Sequence, residues 1–167
     1  MTLSVFRNIN QFASKSKLLD WTAIFFARIL PYFLVAFLFF YAFYVKDSRL
    51  FFYPIFSGVF ARFVINEIVH LFYKRLRPAR AEKTNLLIPL PKNYSFPSGH
   101  SSFFFGISFY LLFYGISQSL AICFIIFSCV IGVARVFCGV HWFRDILAGA
   151  LAGAISAVIV NYFINII

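Results

Sequence analysis

Long apolar stretches, interrupted by few charges, constrain this chain more than any other feature. The 167 residues are 62% hydrophobic, include 26 phenylalanines and have a mean hydropathy of +0.88. A water-soluble domain of this length is rarely so apolar, and a helix needs roughly 20 apolar residues to cross a bilayer. The sequence therefore predicts a single integral membrane domain over residues 1–167, with no room for a second domain.

Polar interruptions divide the chain into five apolar spans, two of them short for a full crossing. Val5, Ile9 and Phe12 recur at helical spacing before the first span, which predicts a short interfacial helix. We expect an all-α polytopic membrane bundle of about five transmembrane helices plus this N-terminal interfacial helix. The predicted spans are Trp21 to Val45, Leu50 to Tyr73, Ser101 to Tyr114, Leu120 to Phe137 and Ile146 to Ile167.

The alternation of spans predicts which connections share a membrane face. The end of the second span, the start of the third and the junction of the fourth and fifth emerge on one side. The connections KDSR (46–49) and GISQS (115–119) lie on the other side, with the end of the fifth span. In the fifth span, Gly149 and Gly153 have the small-xxx-small spacing that favours close helix packing.

The net charge of +10 indicates an anionic partner. The basic residues cluster at 7–17 and 74–92, outside the apolar spans, where they suit anionic lipid headgroups or a phosphate site. No nucleic-acid-binding module is visible, so we expect no nucleic acid partner. The three cysteines, Cys123, Cys129 and Cys138, have no metal-ligand spacing, and we expect neither a metal nor another cofactor. The oligomeric state is not predicted.

Polar side chains from three separate stretches are expected on one face. Ionisable groups at a membrane are costly, so they indicate function. Histidines, arginines and one carboxylate without a metal-ligand set suit phosphoryl transfer through a covalent intermediate. The residues are His70, Lys74 and Arg77 in the first stretch, Ser98, Gly99 and His100 in the second, and Arg135, His141 and Asp145 in the third.

Three of these residues suit the reaction steps. A neutral imidazole is a competent nucleophile, which His141 would supply. Asp145, four residues later, would share a helical face with His141 and fix its tautomer. His100 would protonate the leaving oxygen as a general acid.

The phosphate oxygens need positive charge and hydrogen-bond donors. Arg77 and Arg135 have the guanidinium forks that bind such oxygens. The Ser98 hydroxyl and the Gly99 amide, near a helix start, add neutral donors. Each fragment also has a structural interpretation: PSGH as a turn, His-x3-Asp as a salt-linked helix start, and Arg-Pro as a membrane-edge anchor. Their conjunction on one face favours the catalytic interpretation.

These residues resemble the signature of the type 2 phosphatidic acid phosphatase (PAP2) superfamily: K-x6-RP, PSGH and SR-x5-H-x3-D. The second motif is complete at 97–100, the third runs from Ala134 to Asp145 with the family spacing, and the first runs from His70 to Pro78. The resemblance covers about residues 66–151. The N-terminal VFRNINQF and LLDW also look like the undecaprenyl-pyrophosphate phosphatases of this superfamily, the bacitracin-resistance type.

The resemblance implies a metal-independent phosphatase with a phosphohistidine at His141, and with the roles given above for the other motif residues. Two positions depart from the family pattern: His70 replaces the motif lysine and Ala134 replaces the motif serine. Either His70, kept protonated by Glu67, or Lys74, one helical turn later, would then supply the cation.

The expected substrate is an amphiphile with its phosphate at the headgroup plane. The resemblance makes undecaprenyl pyrophosphate the first choice, while phosphatidic acid, phosphatidylglycerophosphate and lipid A phosphates stay open. A lipid phosphotransferase is a second enzymatic possibility, and a small transporter or lipid-binding protein is the non-enzymatic one. Vanadate-binding haloperoxidases share the signature, but their known members are soluble. The long connection 79–94 is a possible cap over the site.

We expect the protein in the cell membrane. Two arguments disagree about the side of the membrane on which the active site lies. The family resemblance implies the extracytoplasmic face. The positive-inside rule favours the cytoplasm, because more cations flank the predicted site face than the opposite face. We expect the outer face. The cations on the site face are Arg7, Lys15, Lys17 and those in 74–92, against Lys46 and Arg49 on the other.

Overall fold

A computed structural model describes residues 2–115 and 117–166, and all regular structure in that part of the chain is helical. Met1, Ile116 and Ile167 lie outside the described residues, and with them the middle of the predicted GISQS turn and the predicted end of the fifth span. The helices are α1 (Thr2–Asn10), α2 (Lys17–Tyr44), α3 (Arg49–Phe72), α4 (Pro78–Ala81), α5 (Gly99–Tyr114), α6 (Gln118–Phe137) and α7 (Phe143–Ile166).

Four of the described helices, α2, α3, α6 and α7, are long and apolar enough to cross a membrane. The third predicted span, α5, has only 16 residues. It packs against α3, α6 and α7, so it is the helix that the others enclose. The predicted all-α membrane bundle is confirmed, with four full-length spans around one short helix, where the sequence predicted five spans of which two were short.

Small residues let the neighbours approach α5 closely. A Cβ atom on Gly153 of α7 would lie 2.6 Å from the Gly106 nitrogen, and one on Gly149 would lie 2.7 Å from the Ser101 Cβ. A Cβ atom on Gly58 of α3 would lie 2.7 Å from the Phe103 carbonyl oxygen in the same helix. Substitution of these glycines would therefore push α5 away from its neighbours. The Gly149–Gly153 spacing is used as the sequence predicts.

Helices α2 and α3 each contain one π-helical turn with an arginine in it. The turns are Phe25–Ile29 with Arg28 and Ala61–Ile65 with Arg62. Such turns disrupt the regular register of an α-helix and are frequent at functional sites. Two residues beyond the first turn, Pro31 lacks an N–H, so it cannot donate a hydrogen bond to the carbonyl four residues earlier.

The outer faces of α2 and α3 carry large exposed rings, which suits contact with lipid chains. Phe40, Phe43 and Phe52 are each more than 60% exposed. At one end of the bundle, Tyr114 at the end of α5 donates a hydrogen bond to Asp47, in the α2–α3 connection. The end of α5 therefore lies beside the α2–α3 connection, away from the helix ends that carry the PSGH and His141 stretches.

Helix α1 packs against the opposite end of the bundle. Phe6 is buried, with its ring centroid 5.0 Å from that of Trp142. The predicted interfacial helix exists, but its buried side chains are Phe6 and Asn10, whereas Phe12 lies beyond the helix end and is half exposed. The helix stops at Asn10, so the predicted apolar spacing does not continue to Phe12.

Candidate active site

A cavity of about 150 Å³ opens at the end of the bundle where the three predicted stretches meet. We call it the site cavity. It is lined by side chains from α3, α5, α6 and the connections around them, including the loop 82–98. The chemically active lining residues are Arg62, Asn66, Glu67, His70, Arg77, Asn93, Gly99, His100, Arg135 and His141.

His141 lies in the short connection before α7 and is 98% buried. Its Nδ1 is 2.9 Å from the carbonyl oxygen of Ser95 and 3.5 Å from Asp145 Oδ2. Because both neighbours at Nδ1 are acceptors, the proton belongs on Nδ1, and Nε2 carries the lone pair. Nε2 is 3.2 Å from Arg77 Nη1 and faces the cavity. This is the orientation that a nucleophilic imidazole requires.

The protonation state of His141 suits the same role. Burial lowers its pKa well below the usual value, and the positive charges of Arg135 and Arg77 lower it further. The hydrogen bond to the Ser95 carbonyl acts in the opposite direction but is the smaller effect. The imidazole is therefore neutral at neutral pH, and Nε2 keeps its lone pair, which meets the N–H of Arg77 Nη1.

Asp145 is fully buried in the first turn of α7 and holds several groups at once. Its Oδ2 accepts the backbone N–H of Trp142 at 2.8 Å, and Oδ1 accepts Arg75 Nη1 at 3.1 Å. The sequence argument placed His141 and Asp145 on one helical face, but His141 precedes the helix. The two side chains meet because the carboxylate fixes the turn that leads into α7. Arg75 and Ser95 were not predicted, since neither belongs to a recognised pattern.

Arg77 is 97% buried and uses every N–H of its guanidinium. Nε and Nη2 donate to the Asn93 carbonyl (2.9 Å), the Asn93 Oδ1 (2.8 Å) and the Tyr94 carbonyl (3.0 Å). Nη1 donates to the Val140 carbonyl at 2.9 Å and lies against His141. Burial lowers the Arg77 pKa to about 10, so the group remains charged at neutral pH. It fixes the loop and His141 in one network.

Arg135, on α6, is 95% buried on the cavity wall. Its Nη1 donates to the Ala27 carbonyl at 3.3 Å. Pro31, four residues after Ala27, has no N–H to donate to that carbonyl. The Arg135 Nε is buried and has no partner among the described residues. Helix α2 thus anchors one end of this guanidinium and leaves a charged donor for an anion.

The PSGH residues divide between capping the helix and lining the cavity. Ser98 is fully buried, and its Oγ accepts hydrogen bonds from the Ser101 hydroxyl (3.1 Å) and backbone N–H (3.5 Å). It therefore acts as the N-cap of α5 and does not line the cavity. Gly99 and His100 do line it, at the positive end of the helix dipole.

The structure separates the two candidates for the missing motif lysine. His70 lines the cavity, with Nδ1 3.4 Å from Glu67 Oε1 and with Nε2 buried and without a partner among the described residues. Lys74 lies outside the lining, with its Nζ 6.0 Å from the Tyr94 ring centroid. His70 is thus the residue placed to contact a ligand.

Two further lining residues had no assigned role in the sequence argument. Arg62 lies in the π-helical turn of α3 and borders Gly99, where a Cβ would be 3.6 Å from its Nε. Asn66 is 98% buried, and its Oδ1 accepts the Ser102 hydroxyl at 2.9 Å. A charged residue inside an apolar span was the available signal for Arg62.

The chain is similar to a known protein family and to several known proteins. The model of the PAP2 superfamily matches residues 51–166. The bacitracin transport permease protein BcrC of Bacillus licheniformis is 28% identical over 96% of this chain and 79% of its own length. An undecaprenyl-diphosphatase of Sulfolobus acidocaldarius is 35% identical over 54% of this chain and 44% of its own length.

Two crystal structures share the fold. That of LpxE from Aquifex aeolicus has a TM-score of 0.76 and 31% identity, covering 95% of this chain and 93% of the other. A PAP2-type phosphatidylglycerolphosphate phosphatase from Bacillus subtilis has a TM-score of 0.69 and 22% identity, covering 99% and 87%. The resemblance seen in the motifs is confirmed: this multi-pass membrane protein belongs to the PAP2 superfamily of membrane lipid phosphatases.

Proposed function

We propose that the protein hydrolyses a lipid-linked diphosphate to the lipid monophosphate, with undecaprenyl pyrophosphate as the first candidate substrate. The proposed chemistry is supported above all by the orientation of His141. Its Nδ1–H is directed at the Ser95 carbonyl and its Nε2 lone pair at the cavity, beside the Arg77 guanidinium. The substrate assignment is supported by the names of two relatives, a bacitracin transport permease and an undecaprenyl-diphosphatase.

In the first step, His141 Nε2 attacks the terminal phosphorus and forms the N–P bond as the bond to the bridging oxygen breaks. Burial and the charges of Arg135, Arg62 and Arg77 lower the pKa of His100, so His100 takes up its proton when the anionic substrate offsets those charges. It then gives this proton to the bridging oxygen, and the lipid monophosphate departs. The ring of His141 becomes positively charged, and the Ser95 carbonyl and the Asp145 carboxylate stabilise this charge through Nδ1–H. Arg62, Arg135 and the Gly99 amide bind the equatorial oxygens.

In the second step, water attacks the phosphohistidine. Neutral His100 takes the proton of the water, the N–P bond breaks and inorganic phosphate is released. Both histidines thereby return to their starting states. We propose that the reaction needs no metal, because nucleophile, acid and anion-binding groups all come from side chains and amides of this chain.

A phosphate-release panel tests this function. Purified protein is given undecaprenyl pyrophosphate, undecaprenyl phosphate, phosphatidic acid, phosphatidylglycerophosphate and lipid A, with chelator present. We expect release from the diphosphate by the wild type and none by His141→Ala. Release from another lipid alone would replace the substrate, and release from none would favour a lipid-binding or transport protein. A competing alcohol would reveal a phosphotransferase by a new phosphate ester.

We propose that the site faces outward, on the extracytoplasmic side of the cell membrane. The family resemblance supports this, and several cations on that end are engaged in the site. Lys83 and Ser48 lie at opposite ends of the bundle, and each is replaced in turn by a single cysteine. In a background lacking the native cysteines, an impermeant thiol reagent added to intact cells should label Lys83→Cys and spare Ser48→Cys. The reverse pattern would place the site in the cytoplasm.

A further inference from the structure

A second cavity lies directly behind the catalytic groups. It has a volume of about 210 Å³ and is lined by Arg28, Tyr32, Ile88, Pro89, His100 and Arg135. His100 and Arg135 also line the site cavity, whereas His141 and Arg77 do not line the second cavity. The shared pair therefore stands between two compartments, only one of which contains the nucleophile.

The second cavity is cationic. Its lining has two arginines and a tyrosine hydroxyl, and it has no carboxylate. Within the described residues, Arg28 has neither an ion pair nor a hydrogen-bond acceptor for its guanidinium. An unpaired arginine within an apolar span is costly, so its presence indicates an anionic ligand.

The local structure of α2 places Arg28 at this position. Arg28 lies in the π-helical turn Phe25–Ile29, directly after Ala27, whose carbonyl binds Arg135. One contact thus fixes Arg135 of α6 beside the turn that presents Arg28. Arg28 and Tyr32 are both exposed on the outside of the bundle, so the cavity opens toward the region where a lipid chain would remain.

We propose that this second cavity is a subsite for the lipid-linked phosphate, and that Arg28 makes the protein selective for lipid diphosphates over lipid monophosphates. The inference rests on the proposed function. With the terminal phosphorus at His141, the bridging oxygen falls near His100, and the departing phosphate enters the compartment of Arg28 and Arg135. Hydrolysis of a lipid diphosphate releases the lipid monophosphate, an anion that Arg28 can bind. Hydrolysis of a lipid monophosphate releases an uncharged alcohol, which gains nothing from Arg28.

The test measures binding separately from turnover. A non-hydrolysable isoprenyl methylenediphosphonate and the matching isoprenyl monophosphonate are titrated as inhibitors of wild type and Arg28→Gln. Loss of this charge-assisted contact in Arg28→Gln should raise the inhibition constant of the diphosphonate by about 10- to 100-fold. The inhibition constant of the monophosphonate should change by less than about 3-fold, since this analogue does not reach the second cavity. Arg28→Lys should recover part of the loss, because it keeps the charge without the guanidinium fork.

Arg49→Gln, at the other end of the bundle, is the matched control and should change neither inhibitor constant. The subsite is overturned if Arg28→Gln weakens both analogues equally, if it weakens neither, or if wild type binds the two analogues alike. Failure of the proposed function looks different: the wild type would release no phosphate from the lipid diphosphate, whatever the two analogues show.

Discussion

Arg77 Nη1 lies 3.2 Å from Nε2 of His141, so the guanidinium is in contact with the atom that we propose as the nucleophile. The other N–H groups of Arg77 are fixed by backbone and side-chain oxygens of the loop and of Val140. Because each N–H of Arg77 has an acceptor within the protein, the residue acts through the position it gives to His141 and through its positive charge. Arg77 thus joins two functions: it fixes the loop 82–98 to the bundle and presents a cation at the nucleophile.

Arg77→Lys should therefore impair both activity and stability. Lysine keeps a charge but cannot serve five acceptors in a planar array. We expect kcat/KM for the lipid phosphate to fall about 100- to 1,000-fold, with a lowered melting temperature. Arg80→Lys is the matched control, because Arg80 is exposed and, among the described residues, its guanidinium donates only to the Lys92 carbonyl. If both variants retain activity equally, the network around Arg77 has no catalytic role.

The pH response of His141 gives a second prediction. Its pKa is lowered in the folded protein, so the imidazole stays neutral as the pH falls through 6.5. The unfolded chain takes up this proton at a higher pH, so the contribution of His141 to stability is complete above about 6.5 and declines below it. The nucleophile therefore remains competent at pH 6.

Histidine-selective NMR of a His70→Gln, His100→Gln double variant measures this directly, since the chain has three histidines. The one remaining ring should titrate below 6.5. Loss of His100 removes one of the smaller contributions to the shift, so the direction should persist. A titration at or above 6.5 would contradict the assignment of a buried, neutral nucleophile.

His70 and Lys74 give a third prediction. His70 lines the site cavity with an Nε2 that has no partner in the described part of the chain, whereas Lys74 lies near the ring of Tyr94 outside the cavity. We expect His70→Ala to lower kcat/KM by about 10-fold or more, as for the loss of a hydrogen bond to an anion. Lys74→Ala should cost less than about 3-fold. Intact turnover in His70→Ala, together with lost turnover in Lys74→Ala, would reverse the assignment.

The catalytic motifs were readable from the sequence because their spacing fixes short local geometries. PSGH places Gly99 and His100 at a helix start, and the His-x3-Asp spacing brings His141 near Asp145. The partners that complete the site come from distant chain segments. Ser95 supplies a carbonyl, whose position depends on the path of a loop and not on its residue type.

The enclosure of α5 by the other helices and the role of α2 were harder to foresee. Hydropathy alone cannot distinguish a helix that faces lipid from one that other helices enclose, because both are apolar. Pro31 signals an interruption in α2, but only the fold shows that the freed Ala27 carbonyl meets Arg135. The two π-helical turns likewise have no sequence signature comparable with the motifs.

Helix α1 and the loop 82–98 give a fourth prediction. Asn10 is 96% buried, and its Nδ2 donates to the carbonyls of Asn85 and Phe137, both at 2.8 Å. Its Oδ1 accepts the Asn85 backbone N–H at 3.0 Å. This one side chain therefore ties the first helix to the loop that lines both cavities.

Asn10→Ala would leave those buried groups unpaired, at a cost of about 1 to 3 kcal/mol in unfolding free energy. We expect a lower melting temperature, faster proteolysis within 82–98 and reduced turnover, because the loop is the anchor of Arg77. Arg7→Ala is the control: the Arg7–Glu82 ion pair links the same segments, but the Arg7 side chain is 63% exposed and solvent screens it. Equal effects of both substitutions on proteolysis would show that the whole of α1, and not the Asn10 contact, holds the loop.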